Sequence, residues 1–290
     1  MSSILQTAIV TDSTACIPQE MRDQLRIHEV PYYIHKGDVV LRDLKTVSRQ
    51  EFLEWLPTAE ELPTTASPGP GDYLNVYQEI ADKGINNILS IHMTSRGSGA
   101  YQAAVAAAEM LKETLPKLRI EVIDTLNVAL CQGWIAIEAA RQALDGIDME
   151  NILEKIRSMI PVTKMIQTAD TLKYLYMGGR IGRAVHLMGS MLSLKPLISM
   201  DNGEIVALGV ARGLNRAYLK MIENIEKTAQ TQKIKVAYMH AGAVDQIGKL
   251  KGMVEERFEI VESFVSELTP ALMVHTGPGT TGLCYYPINE

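Results

Sequence analysis

The chain has 290 residues, a formal net charge of −6, 47% hydrophobic and 21% charged residues, which predicts a globular protein of about two domains with ample core. No basic tract offsets the acidic balance, which argues against nucleic acid as a partner. Cys16, Cys131 and Cys284 lie far apart in apolar surroundings with no Cys/His spacing, so zinc and a disulfide framework are not expected, and reduced thiols in a cytoplasmic protein are.

The start, Met1-Ser2-Ser3-Ile4-Leu5-Gln6, has neither a basic n-region nor an apolar h-region. No apolar run reaches transmembrane length, which leaves at most transient contact with a membrane surface. Residues 5–10 read as a strand ending at Thr11-Asp12-Ser13-Thr14. Pro18 opens a helix to about residue 25, and residues 27–34 read as a second strand. Ser48 and Glu51 match a capping box ahead of Phe52. Residues 57–70 form a loop rich in Pro, Thr and Gly. A helix over 72–81, a strand over 88–92, a helix over 100–115 and a strand over 120–123 follow. Helices over 128–144 and 149–160 complete this half. Such alternation predicts a parallel, Rossmann-like sheet covered on both faces.

After Pro161 the pattern changes. A strand over 165–168 precedes a helix capped by Asp170 and reaching Tyr176. Strands over 197–200 and 205–208 flank Asn202-Gly203, a hairpin signal. A helix over 215–228, a strand over 234–240, a helix through Arg257 and strands over 260–265 and 272–274 follow. The fold class is α/β: an N-terminal domain over 1–161 and a second α/β domain with a mixed sheet over 162–290.

The last expected strand runs into His275-Thr276-Gly277-Pro278-Gly279. Glycines there let backbone N–H groups approach an anion without Cβ obstruction. Pro63-Thr64-Thr65-Ala66-Ser67-Pro68 and Ser95-Arg96-Gly97-Ser98-Gly99 each place hydroxyls in a loop. Together the three segments supply neutral donors for one carboxylate or phosphate. Each also has a purely structural reading. Thr64-Thr65 suits a helix-entry turn, Ser98 suits the N-cap of the helix from Ala100, and His275 suits a satisfied core histidine. Asp12 is a capping or orienting candidate. His28, His35, His92, His186 and His240 show no metal-ligand spacing, and neither a metal nor a cofactor is expected. Residues 184–194 have no polar face and are either buried or line an apolar cavity. Tyr174 to Arg183 lacks the P-loop lysine pattern and the dinucleotide fingerprint. Fifteen methionines against three phenylalanines suggest a flexible apolar lining.

These segments, in this order, resemble the DegV family, the fatty-acid-binding subunits of bacterial fatty acid kinase. The matching pieces are Thr11-Asp12-Ser13-Thr14, Pro63-Thr64-Thr65 with Pro68, Ser98-Gly99 with Tyr101-Gln102, and residues 170–175 with 178–182. Lys195-Pro196, Arg212-Gly213 and residues 275–279 follow. Ala66-Ser67 stand where Ser-Gln is usual, Gly97 where leucine is usual, and Ala100 where threonine is usual. The resemblance implies a lipid-binding carrier with a long acyl chain buried between two domains, serving phospholipid metabolism. It implies carboxylate contacts from Thr65 and Ser98 with His275 beside them, support from Thr64, Gly99, Gly277 and Gly279, and a separate ATP-dependent kinase docking at Arg180 and Arg212. A different class stays open beside it: a serine hydrolase or acyltransferase with Ser98 as nucleophile, His275 as base and Asp12 or Asp124 as orienter. A small-molecule sensor or structural module is a third reading.

Overall fold

The computed structural model describes residues 6–190, 194–229 and 231–288. Three sheets form among the described residues. Strands β1 (Thr7–Asp12), β2 (His28–Val30), β3 (Tyr33–Lys36), β4 (Val39–Arg42), β5 (Thr64–Ala66), β6 (Asn87–His92) and β7 (Arg119–Asp124) occupy the first half. Strands β8 (Lys164–Thr168), β9 (Leu194–Asp201), β10 (Glu204–Arg212), β11 (Lys233–His240), β12 (Glu259–Glu267) and β13 (Thr281–Pro287) occupy the second. The order β2-β1-β6-β7 is parallel throughout. The order β10-β9-β8-β13-β11-β12 is mixed, only β11 and β12 running parallel. A small antiparallel sheet, β4-β3-β5, lies apart from both.

The helices are α1 (Gln19–Gln24), α2 (Arg49–Trp55), α3 (Pro70–Asp82), α4 (Ala100–Lys112), α5 (Leu130–Leu144), α6 (Met149–Met159), α7 (Lys173–Met177), α8 (Leu214–Ala229), α9 (Val244–Glu255) and α10 (Pro270–Thr276). Among the described residues none is long and apolar enough to cross a membrane.

Helix α5 joins the two larger sheets. It is buried along most of its length, and Trp134 packs 4.9 Å from the ring of Phe264 and 5.5 Å from that of Tyr286. Its indole N–H donates to the Cys284 carbonyl at 3.3 Å. Glu138 and Arg141 extend the joint through Lys235 at 2.9 Å and Glu262 at 2.5 Å. One apolar cluster therefore runs from Ile9 and Leu89 to Met239 and Cys284, while a second lies under α8 and α9.

The structure corrects the element reading in several places, and adds β4 and β13 where no strand is expected. Residues 27–34 are two strands in different sheets, because Pro31 supplies no N–H and the chain changes sheet there. Residues 64–66 of the expected loop pair with β3. Residues 271–274 are helical: Pro270 suits the first helical turn, and the buried Asp43 carboxylate accepts from Ala271 N at 3.2 Å. The helix after Asp170 starts at Lys173, with Leu172 at its N-cap position. By contrast, the Ser48/Glu51 capping box forms with both reciprocal bonds. Asn202 and Gly203 both adopt positive φ, 49° and 81°, between paired β9 and β10, as a tight hairpin requires.

Candidate functional site

A cavity of about 680 Å³ opens where loops of the parallel sheet face the mixed sheet. That volume suits a small-molecule site. Met93, Met165, Met200, Val128, Leu175 and Leu272 supply apolar wall. Three of these six are methionines, and all three also belong to the main buried apolar cluster. Ala184 and Leu187 are buried, whereas Val185 and His186 are exposed, and residues 191–193 lie outside the described residues.

The polar groups converge from three loops. Thr65 on β5 and His275 in the last turn of α10 meet directly, Oγ1 to Nε2, at 2.8 Å. Ser98 stands before α4, where Gly99 takes the N-cap position. Its Oγ accepts from Ala100 N at 3.3 Å and meets the Tyr32 hydroxyl at 2.6 Å. Gly99 backs onto the Thr65 loop: a Cβ there would lie 3.2 Å from Ser67 Oγ. Thr65, Ser98, Gly99 and His275 thus share one cavity wall.

Burial, and then the neighbouring charge of Arg180, lower His275 from an ordinary 6.5 to about 4. At neutral pH the ring is uncharged. Its Nδ1 is buried with no hydrogen-bond partner among the described residues, pressed against Gly178, where an added Cβ would collide with the ring. Arg180 lines the cavity and donates to the Gly178 carbonyl at 2.7 Å. The lining also holds Arg96 and Arg183, both paired with Glu204 at 3.5 Å, so the wall beside His275 offers neutral hydroxyls and the Arg180 guanidinium, a set suited to an anionic head group among apolar walls.

Other sequence candidates lie elsewhere. Thr64 is exposed and outside the lining. The N–H groups of Gly277 and Gly279 are committed to Met273 O and Ala241 O, both at 2.8 Å. Their positive φ values of 75° and 77° turn the chain from α10 into β13 instead of cradling an anion. Arg212 is exposed at the end of β10, outside the cavity. The hydrolase constellation is not assembled: His275 Nε2 is on Thr65 and, among the described residues, its Nδ1 has no partner. Asp12 bonds His92 Nδ1 at 2.8 Å, and Asp124 accepts from Ser95 N and Leu126 N.

Tyr32 and Thr14 are among the cavity residues that sequence reasoning did not assign to the ligand. Behind them lies a buried polar network. Thr14 donates its hydroxyl to Asp12. The other Asp12 oxygen meets His92, whose Nε2 is 2.7 Å from Ser90 Oγ, and Tyr77 donates to Ser90 at 2.6 Å. Ser90, His92 and Asp12 have the spacing of a nucleophilic triad, yet all three are fully buried and Ser90 and His92 do not line the cavity.

The model of the DegV family, described as an uncharacterised protein family, matches residues 6–288. A DegV domain-containing protein of Halalkalibacterium halodurans is 30% identical, over 96% of this chain and 98% of its own. The DegV protein of Bacillus subtilis is 29% identical, over 97% and 99%. Among solved structures, a fatty-acid-binding DegV family protein from Thermus thermophilus superposes with a TM-score of 0.91 at 29% identity, covering 98% of this chain and 100% of that one. DegV from Bacillus subtilis, a fatty acid binding protein, superposes with a TM-score of 0.87 at 28% identity, covering 98% and 100%.

Proposed function

The chain belongs to the DegV family, and we propose that it is a carrier that buries one long-chain fatty acid and holds its carboxylate at Thr65, Ser98 and His275. The observation that carries this reading is the methionine-lined cavity into which these donors converge. Burying an acyl chain contributes roughly 0.8 kcal/mol per CH₂, so about 10 kcal/mol for a long chain before ordering costs. Polar groups then need only orient the head. With its proton on Nε2, the neutral His275 donates to Thr65 Oγ1 and frees the threonine proton for the carboxylate. Arg180 adds the compensating charge from the cavity wall.

The chemistry in this reading belongs to a separate ATP-dependent kinase, because the sequence has no nucleotide loop of its own. The carboxylate oxygen attacks the γ-phosphoryl group, ADP leaves, and an acyl-phosphate forms. Arg212, outside the cavity, is the docking candidate. Arg180 serves the ligand. The test is organic extraction of the purified protein followed by mass analysis, which should give close to one long-chain acid per chain. Lipid-free protein that also fails to bind added oleate would refute the carrier.

A further inference from the structure

Ser98 Oγ has two lone pairs and one proton. Ala100 N–H occupies one lone pair. Tyr32, 66 residues earlier in sequence, stands at 2.6 Å. Thr14 neighbours the Tyr32 hydroxyl, and its own proton goes to Asp12, with Gln132 Oε1 as a second acceptor at 3.1 Å. Asp12 accepts from Thr14 N and Oγ1 on one oxygen and faces His92 on the other. It is fixed as an acceptor with no exposure. Thr14 therefore offers Tyr32 only lone pairs, and the phenol has two acceptors in reach: Thr14 and Ser98.

We propose, resting on the fatty-acid reading above, that Tyr32 is a positioning residue that aims the Ser98 hydroxyl at the ligand carboxylate. With the carboxylate present, Tyr32 donates to Ser98 Oγ. Both serine lone pairs are then filled, and the only proton left on Ser98 points to the cavity. Without an anion the phenol can turn to Thr14. Ser98 is thus to Tyr32 as Thr65 is to His275: each hydroxyl that faces the ligand is backed by a second group that releases its proton. Burial and the charge of Asp12 keep the phenol protonated, well above its ordinary pKa, so it remains a donor across the physiological range. Asp12 and Thr14 hold this arrangement without touching the ligand, and the triad-like Ser90–His92–Asp12 set gains a role as the anchor of the chain.

The test is a double-mutant cycle on the full chain after delipidation, with oleate and oleyl alcohol as probes. Tyr32→Phe and Ser98→Ala should each weaken oleate by about tenfold, and the double variant by no more than either alone. Oleyl alcohol, which can accept from Ser98 but carries no charge, should change by less than about threefold. Additive losses for oleate, or equal losses for acid and alcohol, would show Tyr32 to be merely structural and overturn the inference. If the parent binds no oleate at all, the carrier reading falls and this inference with it. If Ser98→Ala alone leaves oleate affinity at the parental value, Ser98 does not hold the carboxylate and Tyr32 has nothing to aim. Should Tyr32→Phe fold poorly, 3-fluorotyrosine at position 32 keeps the shape and makes a stronger donor. It should tighten oleate, and unchanged or weaker binding would also overturn the inference.

Discussion

The neutral His275 makes a measurable demand on folding. Its pKa is about 4 in the folded chain against an ordinary 6.5, through burial first and Arg180 second. The folded state binds its proton less readily than the unfolded state. The associated stability is therefore fully present above pH 6.5 and is lost as the pH falls towards 4. From linkage, one such group removes about 2 kcal/mol between pH 7 and pH 5. Other groups titrate too, so the comparison is with His275→Gln, which removes only this one. Urea unfolding of parent and variant at pH 7, 6 and 5 isolates the contribution. The stability of the parent relative to the variant should fall by about 2 kcal/mol across that range, most of it below pH 6.5. A difference that stays flat, or that grows in acid, would refute the neutral, buried imidazole and with it the donor pairing to Thr65.

Three further outcomes are expected. Gly178→Ala places a carbon against His275 Nδ1, so the ring must leave Thr65 and oleate affinity should drop about tenfold; calorimetric titration showing parental affinity would mean that the ring is not where binding is decided. Trp134→Ala removes the largest fully buried side chain from the joint between the sheets, and urea unfolding should show a loss of about 3–5 kcal/mol. Arg212→Glu should leave oleate occupancy intact and slow acyl-phosphate formation with the cognate kinase; loss of the ligand, or parental turnover, would remove Arg212 from the docking face.

What the sequence disclosed divides by the range of the interaction. The Ser48/Glu51 cap and the Asn202-Gly203 hairpin were legible because their bonds close within four residues. The parallel and mixed sheets were legible from alternation and from the change after Pro161. Residues 271–274 were misread because a short apolar run buried on every side has no period to distinguish strand from helix. The evidence for helix was Pro270 at its start and an acceptor supplied by Asp43, 228 residues away. Strand β13 was hidden for a related reason: residues 275–282 read as one glycine loop, although the chain leaves it at Thr281 to pair with both β8 and β11.

The candidate site follows the same rule more severely. Thr65, Ser98 and His275 were singled out by residue type and loop context, yet the bond between Thr65 and His275 spans 210 residues. Tyr32 gave no signal at all, because it sits beside a tract of apolar residues and reads as core. Its function depends on a hydroxyl that must find a partner once buried, and that partner is Ser98. A buried tyrosine beside a cavity-lining serine is visible only after folding. The polar groups behind Thr65 and Ser98 decide how each hydroxyl points, and the distances to His275 and Tyr32 carry that information where the local motifs do not.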